Sequence, residues 1–162
     1  MNRWDTDQAT PDDCCRSPDH LARRPPPAHA GDGTAAINDV TGVALGRFDA
    51  VAYFEGKPTQ GMPKFAATYQ GLPYLFASAE HRDRFITDPA KYVPEFGGFC
   101  AIAAAYDDKA TIDPKAYVVF GDRLYVTHNM NALTAFRKDL PGNIAQATAN
   151  WAHVKKIPGP TH

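Results

Sequence analysis

The chain is short of nearly everything that announces a chemistry. Of its 162 residues only three are cysteine, and two of these, Cys14 and Cys15, are neighbours. Adjacent cysteines close only a strained disulfide, and both lie in the N-terminal stretch, so Cys100 is alone in the folded part and the pattern is not a disulfide framework. No apolar run approaches the ~20 residues that cross a bilayer, which leaves no membrane span to expect. A formal net charge of −1 gives no field that would draw in nucleic acid or an acidic membrane surface. A phosphate-cradling glycine loop, a dinucleotide fingerprint, an HExxH pair and zinc-finger spacing are all missing. The first residues are polar and acidic, without the apolar stretch of an export signal. The expectation is therefore a cytoplasmic protein, with a periplasmic location as the alternative.

What is there is enough for one domain. Hydrophobic residues make up 44% and charged residues 22%, the balance of a globular chain. Residues 1–37 are different. PDDCCRSPDH and RRPPPAHAGDG are rich in proline, charge and small side chains, so they bury too little apolar area to offset chain entropy and read as a disordered tail. Cys14, Cys15, His20 and His29 in that tail are candidates for loose soft-metal binding, set against a plain solvated segment.

From residue 38 to 157 the pattern is α+β. Val43, Leu45, Val51, Tyr53 and Phe54 are the first apolar anchors. Phe65–Tyr69 and Pro73–Phe76 flank Gln70-Gly71 as a hairpin, and Ala116–Phe120 and Leu124–Thr127 flank Gly121-Asp122 as a second. Ser78 and Asn129 stand where each following helix would be capped. Four residues separate His81 and Phe85, so they share a helix face. Asp88-Pro89 ends that helix. Leu133, Phe136 and Leu140 mark one face of the next helix, Pro141-Gly142 breaks it, and a last helix carries Ile144, Ala147, Trp151 and Val154 on its apolar stripe. The result is two hairpin-plus-helix units of different sequence, followed by C-terminal helices.

FDAVAYF, YLFASAEHRDRF, DPAKY, EFGGFCA, DRLYV and DLPGNIAQATANW together resemble the YHS domain family, and more narrowly its stand-alone bacterial members. The resemblance runs in order from about Asn38 to about Val154. It implies a small treble-clef-like domain and, from the relatives attached to metal-pumping ATPases, a zinc or heavy-metal knuckle built from cysteines. This chain departs from that pattern, with Ala52, Ala77 and His81 at the positions where the knuckle would carry cysteine.

The candidate metal donors are then Cys100, His81 and His128, with His153 on a more solvated helix face. If the two hairpin ends meet, a thiolate and one or two imidazoles converge, a set suited to copper(I) or an open zinc(II) site. The double glycine before Cys100 offers amides that would stabilise a thiolate. The plainer readings are a hydrogen-bonded core histidine and a cysteine acting as a small hydrophobe. Tyr53, Tyr74 and Phe99 are candidates to line a small-ligand pocket, although core packing accounts for such aromatics too. The expectation is a protein that binds or handles copper or zinc without turnover. The alternative is a module for a non-metal ligand or a protein partner. A third is a metal- or cysteine-dependent enzyme in which Cys100 pairs with His81 or His128, although no acid that would orient the base stands out.

Overall fold

The computed structural model describes Asn38 and residues 41–160; the tail, with its cysteines and histidines, lies outside the described residues. The architecture is α+β, with five α-helices and four strands among the described residues, in chain order: β1 (Met62–Tyr69), β2 (Leu72–Phe76), α1 (Ala79–Thr87), α2 (Pro89–Tyr92), α3 (Ala101–Ala105), β3 (Asp113–Phe120), β4 (Arg123–Thr127), α4 (Met130–Arg137) and α5 (Leu140–Val154). β1 pairs only with β2 and β3 only with β4, both antiparallel. Each hairpin closes through two residues with positive φ, Gln70-Gly71 and Gly121-Asp122, the backbone that matches the twist of a tight hairpin.

The two units are the same structure laid down twice, 51 positions apart. Met62↔Phe76 and Ala66↔Leu75 flank a register irregularity in the first hairpin, and Asp113↔Thr127 and Tyr117↔Val126 flank its counterpart. Ser78 caps α1 by accepting from the amide of His81, and Asn129 caps α4 by accepting from that of Ala132. Each unit opens on three consecutive residues in the left-handed region. These are Leu45, Gly46 and Arg47 at φ 53°, 57° and 74°, and Phe96, Gly97 and Gly98 at 53°, 61° and 76°. The amide of Asp49 then donates to the Thr59 carbonyl, and that of Cys100 to the Ala110 carbonyl. The repeat reaches Asp88 and Asp139, which share one backbone conformation (φ −146°, ψ 76° and φ −150°, ψ 76°) ahead of the next helix.

The second helix boundary differs from the sequence expectation. α4 stops at Arg137, and Leu140 and Pro141 lie inside the first turn of α5 behind the Asp139 cap. Proline in a first turn costs nothing, because its missing N–H has no intrahelical partner there. The small apolar run after Cys100 is also helical, as α3, which packs along α5 with Ala101 and Ala104 fully buried.

The core has two centres. Tyr53, Phe76 and Phe85 lead one, which also takes in Leu124 and Val126 of the second hairpin; Phe96, Cys100, Tyr125, Phe136 and Val154 form the other. Each fully buried ring contributes about 1.5–3 kcal/mol of transfer free energy. The units are pinned together by the Tyr53 hydroxyl, which donates to the Pro114 carbonyl at 2.7 Å, and by the Tyr53–Tyr117 edge contact at 4.8 Å. Lys109 holds the end of α5: its buried ammonium donates to the carbonyls of Lys155 (3.2 Å) and Ile157 (2.6 Å) and lies 4.7 Å over the Phe99 ring.

Candidate functional site

Each unit is tied around one acceptor, and the two acceptors are chemically different. In the first unit it is Asp49, fully buried. One carboxylate oxygen accepts from the amides of Val51 (2.8 Å) and Ala52 (3.3 Å), the other from the amide of Ala77 (2.8 Å) and from His81 Nδ1 (2.6 Å). The loop after the left-handed turn, the end of β2 and the start of α1 are thereby joined at one carboxylate. In the second unit the equivalent residue is Cys100. Its sulfur accepts from the amide of His128 at 3.2 Å and lies near the amides of Ile102 and Ala103, each 51 positions beyond its counterpart. The left-handed turn that precedes each acceptor costs on the order of 1–2 kcal/mol for every residue other than glycine. Such backbone persists where the surroundings hold it, and it collects at functional positions.

His81 therefore has an oriented ring. With Nδ1 donating to Asp49, Nε2 points outward to Glu55 Oε1 at 3.4 Å, on a side chain 16% exposed. A nitrogen lone pair at Nε2 and a carboxylate oxygen repel each other, so a neutral ring in this position is suited to sharing a cation with Glu55. Glu55 already carries one positive neighbour, Arg84 Nη1 at 2.7 Å on the same oxygen. The sequence offered no acid to orient a histidine; Asp49 is that acid. Its only trace in the chain is an aspartate followed by Ala-Val-Ala, where it reads as an ordinary loop carboxylate.

The three expected metal donors do not form one group. His81 belongs to the knot of the first unit, and Cys100 and His128 belong to the second. What His128 gives Cys100 is its backbone amide, at 3.2 Å; its ring turns to Thr111, with Nδ1 3.2 Å from the carbonyl oxygen. Cys100 is 1% exposed. Burial pushes its thiol above the ordinary thiol range, against the lowering effect of the three amides. The amides expected to favour a thiolate are thus present and are outweighed by desolvation. His153 is exposed and paired with Asp107 at 2.8 Å. Among the described residues no three histidine, cysteine, aspartate or glutamate side chains are disposed to hold a metal ion.

The aromatic trio is divided as well. Tyr53 and Phe99, each 1% exposed, are core. Tyr74 alone borders a cavity, a half-open cleft of about 340 Å³ where the first hairpin, the Val93–Pro94 link and α5 meet. No helix of the described residues is long and apolar enough to cross a membrane.

Comparison with family models, with curated proteins and with solved structures returned no match to this chain.

Proposed function

We propose that the protein is a metal-handling domain that binds zinc(II) or copper(II), without turnover, between Nε2 of His81 and Glu55. The observation that supports this is the outward contact of an imidazole whose other nitrogen is locked on a buried carboxylate. Metal-bound histidines are held in that way, the second carboxylate fixing tautomer and ring direction. The spacing suits an ion. With metal–nitrogen and metal–oxygen bonds of about 2.0–2.2 Å, a 3.4 Å separation subtends about 110° at the metal, the tetrahedral value.

The resemblance to YHS domains gives the same corner of the fold a different chemistry. Ala52, Ala77 and His81, at the positions of the knuckle cysteines, do converge in space, since their two amides and one ring all reach Asp49. A closed thiolate knuckle does not fit, because two of the three positions offer only methyl groups. A carboxylate takes the central place, and an open nitrogen–oxygen pair is left on its outer side. Two protein donors leave the remaining positions to water or to a partner's ligand, as a carrier or sensor requires. This donor pair favours zinc(II) and copper(II) over copper(I), which prefers sulfur.

The competing reading, a binding module that needs no ion, is favoured by Arg84, whose guanidinium already neutralises Glu55. Calorimetric titration with zinc(II), with Cys14 and Cys15 changed to serine so that tail thiols do not compete, separates the two. Metal handling at this site predicts that His81→Gln loses one equivalent of zinc while Cys100→Ala keeps it. Equal stoichiometry and affinity in wild type and His81→Gln would remove the metal site at His81 and leave the reading in which this corner needs no ion.

A further inference from the structure

The cleft between the first hairpin and α5 is built like a binding site, and neither the carboxylate knot nor the histidine uses it. Tyr74 is 4% exposed, yet its hydroxyl takes part in no hydrogen bond among the described residues, and no buried side-chain oxygen there lacks a partner. Its hydroxyl therefore opens on the cleft. Tyr69, Gln70, Trp151 and Lys155 line the same cleft, and their side-chain polar atoms make no hydrogen bond among the described residues. Polar groups held at a cavity wall without protein partners are what a ligand would satisfy.

The aromatic wall is braced. The Tyr74 ring lies 4.8 Å from that of Phe85, and Tyr69 meets Phe85 edge-on at 6.0 Å. Trp151 is braced edge-on by Phe96 at 5.7 Å. Lys155 is fixed at its backbone, because its carbonyl accepts the buried Lys109 ammonium. The aromatic wall is therefore preorganised, and the ordering left for binding falls on the exposed Lys155 and Gln70 side chains.

The chemistry of the lining selects the ligand. It offers one cation, several neutral donors, three aromatic rings and no acidic side chain. We infer that this cleft binds a small planar organic anion, an aromatic carboxylate, with its ring against Trp151 and its carboxylate toward Lys155 and the Tyr74 hydroxyl. A more highly charged phosphate would lack the second cation it needs, and a cationic ligand would meet Lys155. Burial also raises the Tyr74 phenol above its ordinary range, which keeps it a donor.

The test is a titration of ¹⁵N-labelled full-length protein with naphthalene-2-carboxylate and, in parallel, its neutral carboxamide. The chain has two tryptophans, and Trp151→Phe identifies the Trp151 indole signal. The inference expects that signal to shift saturably, with a dissociation constant at or below about 1 mM, and the carboxamide to bind about fivefold more weakly. Lys155→Met, an exposed change that spares the fold, should bring the carboxylate to the level of the carboxamide, since an exposed charge contact is worth about that factor. Tyr74→Phe should weaken both. The inference is overturned by the absence of saturation, by equal binding of carboxylate and carboxamide, or by an unchanged preference in Lys155→Met. None of these results bears on zinc at His81.

Discussion

Replacing Asp49 by alanine should be among the most damaging single changes in the domain, and replacing it by cysteine should be milder. Asp49→Ala strands the amides of Val51, Ala52 and Ala77, in a region where Val51 and Ala52 are 0% and 2% exposed. A buried donor left unpaired costs about 1–3 kcal/mol. The His81 ring, partly exposed, recovers part of its loss from water. Allowing for some water entry at the amides, the sum is about 3–5 kcal/mol, a large share of the ~5–15 kcal/mol that holds a domain together. The melting temperature should fall by roughly 10–20 °C. In Asp49→Cys a sulfur meets three amides placed as they are around Cys100, so about half of the loss should be restored. Urea and thermal unfolding followed by circular dichroism would rank wild type above Asp49→Cys and Asp49→Cys above Asp49→Ala. The equivalence of the two acceptors is refuted if the cysteine variant is no more stable than the alanine variant. The carboxylate's role in the first unit is refuted if Asp49→Ala stays within about 1 kcal/mol of wild type.

Three further outcomes are expected. Arg84→Ala frees the Glu55 oxygen and should tighten zinc binding about two- to fivefold, the worth of an exposed ion pair, as read by calorimetry; weaker binding would contradict a site on Glu55. The Cys100 thiol is raised by burial, so its neutral form is the one the fold accepts. Its contribution is fully present below the ordinary thiol range and is lost as pH rises through and above it, because only the unfolded chain ionises freely there. Native Cys100 should accordingly resist iodoacetamide at pH 8 and react on unfolding, and fast alkylation of the folded protein would oppose this account. Arg47 and Gly98 hold matching left-handed positions (φ 74° and 76°). Arg47→Gly should then move stability by less than about 1 kcal/mol, the left-handed relief offsetting added chain freedom. Gly98→Ala should cost about 1–2 kcal/mol, since a Cβ there would stand 3.1 Å from Pro94 Cγ. A chemical denaturation series checks both.

The hairpins and caps were legible because each rests on a local rule. Gln70-Gly71 and Gly121-Asp122 sit between strand-like runs, and Ser78 and Asn129 precede helical spacing. The start of α5 runs against the local rule, because Pro141-Gly142 reads as a break in sequence, whereas the Asp139 side chain caps the Gly142 amide and absorbs the proline into a first turn. The knots were hidden for a different reason. Asp49 gathers donors from Val51, Ala52, Ala77 and His81, the last two about thirty residues away, and no periodicity records such a meeting. The duplication leaves one short trace, Gly46-Arg-Phe-Asp-Ala-Val-Ala52 against Gly97-Gly-Phe-Cys-Ala-Ile-Ala103, which is too brief to stand out before the backbone shows what it means.

That trace also explains why the units have different capacities. The repeated backbone supplies a socket of three amides and requires only an acceptor that fits it. A carboxylate has lone pairs to spare and draws in a fourth donor, so the first unit acquires a histidine ring held at a fixed angle toward solvent. A thiol in the same socket has no such surplus, and the residue equivalent to His81 is Ala132, whose amide binds the Asn129 cap. The second unit is left as packing, with Phe136 and Tyr125 closing over the sulfur's neighbourhood. Exchange of the two acceptors tests this directly. Cys100→Asp combined with Ala132→His should build a second outward imidazole and raise zinc stoichiometry from one to two, provided that a counterpart to Glu55 is supplied by Tyr106→Glu at the equivalent position. A folded triple variant that still binds a single equivalent would show that the socket and its acceptor are not what makes the first site.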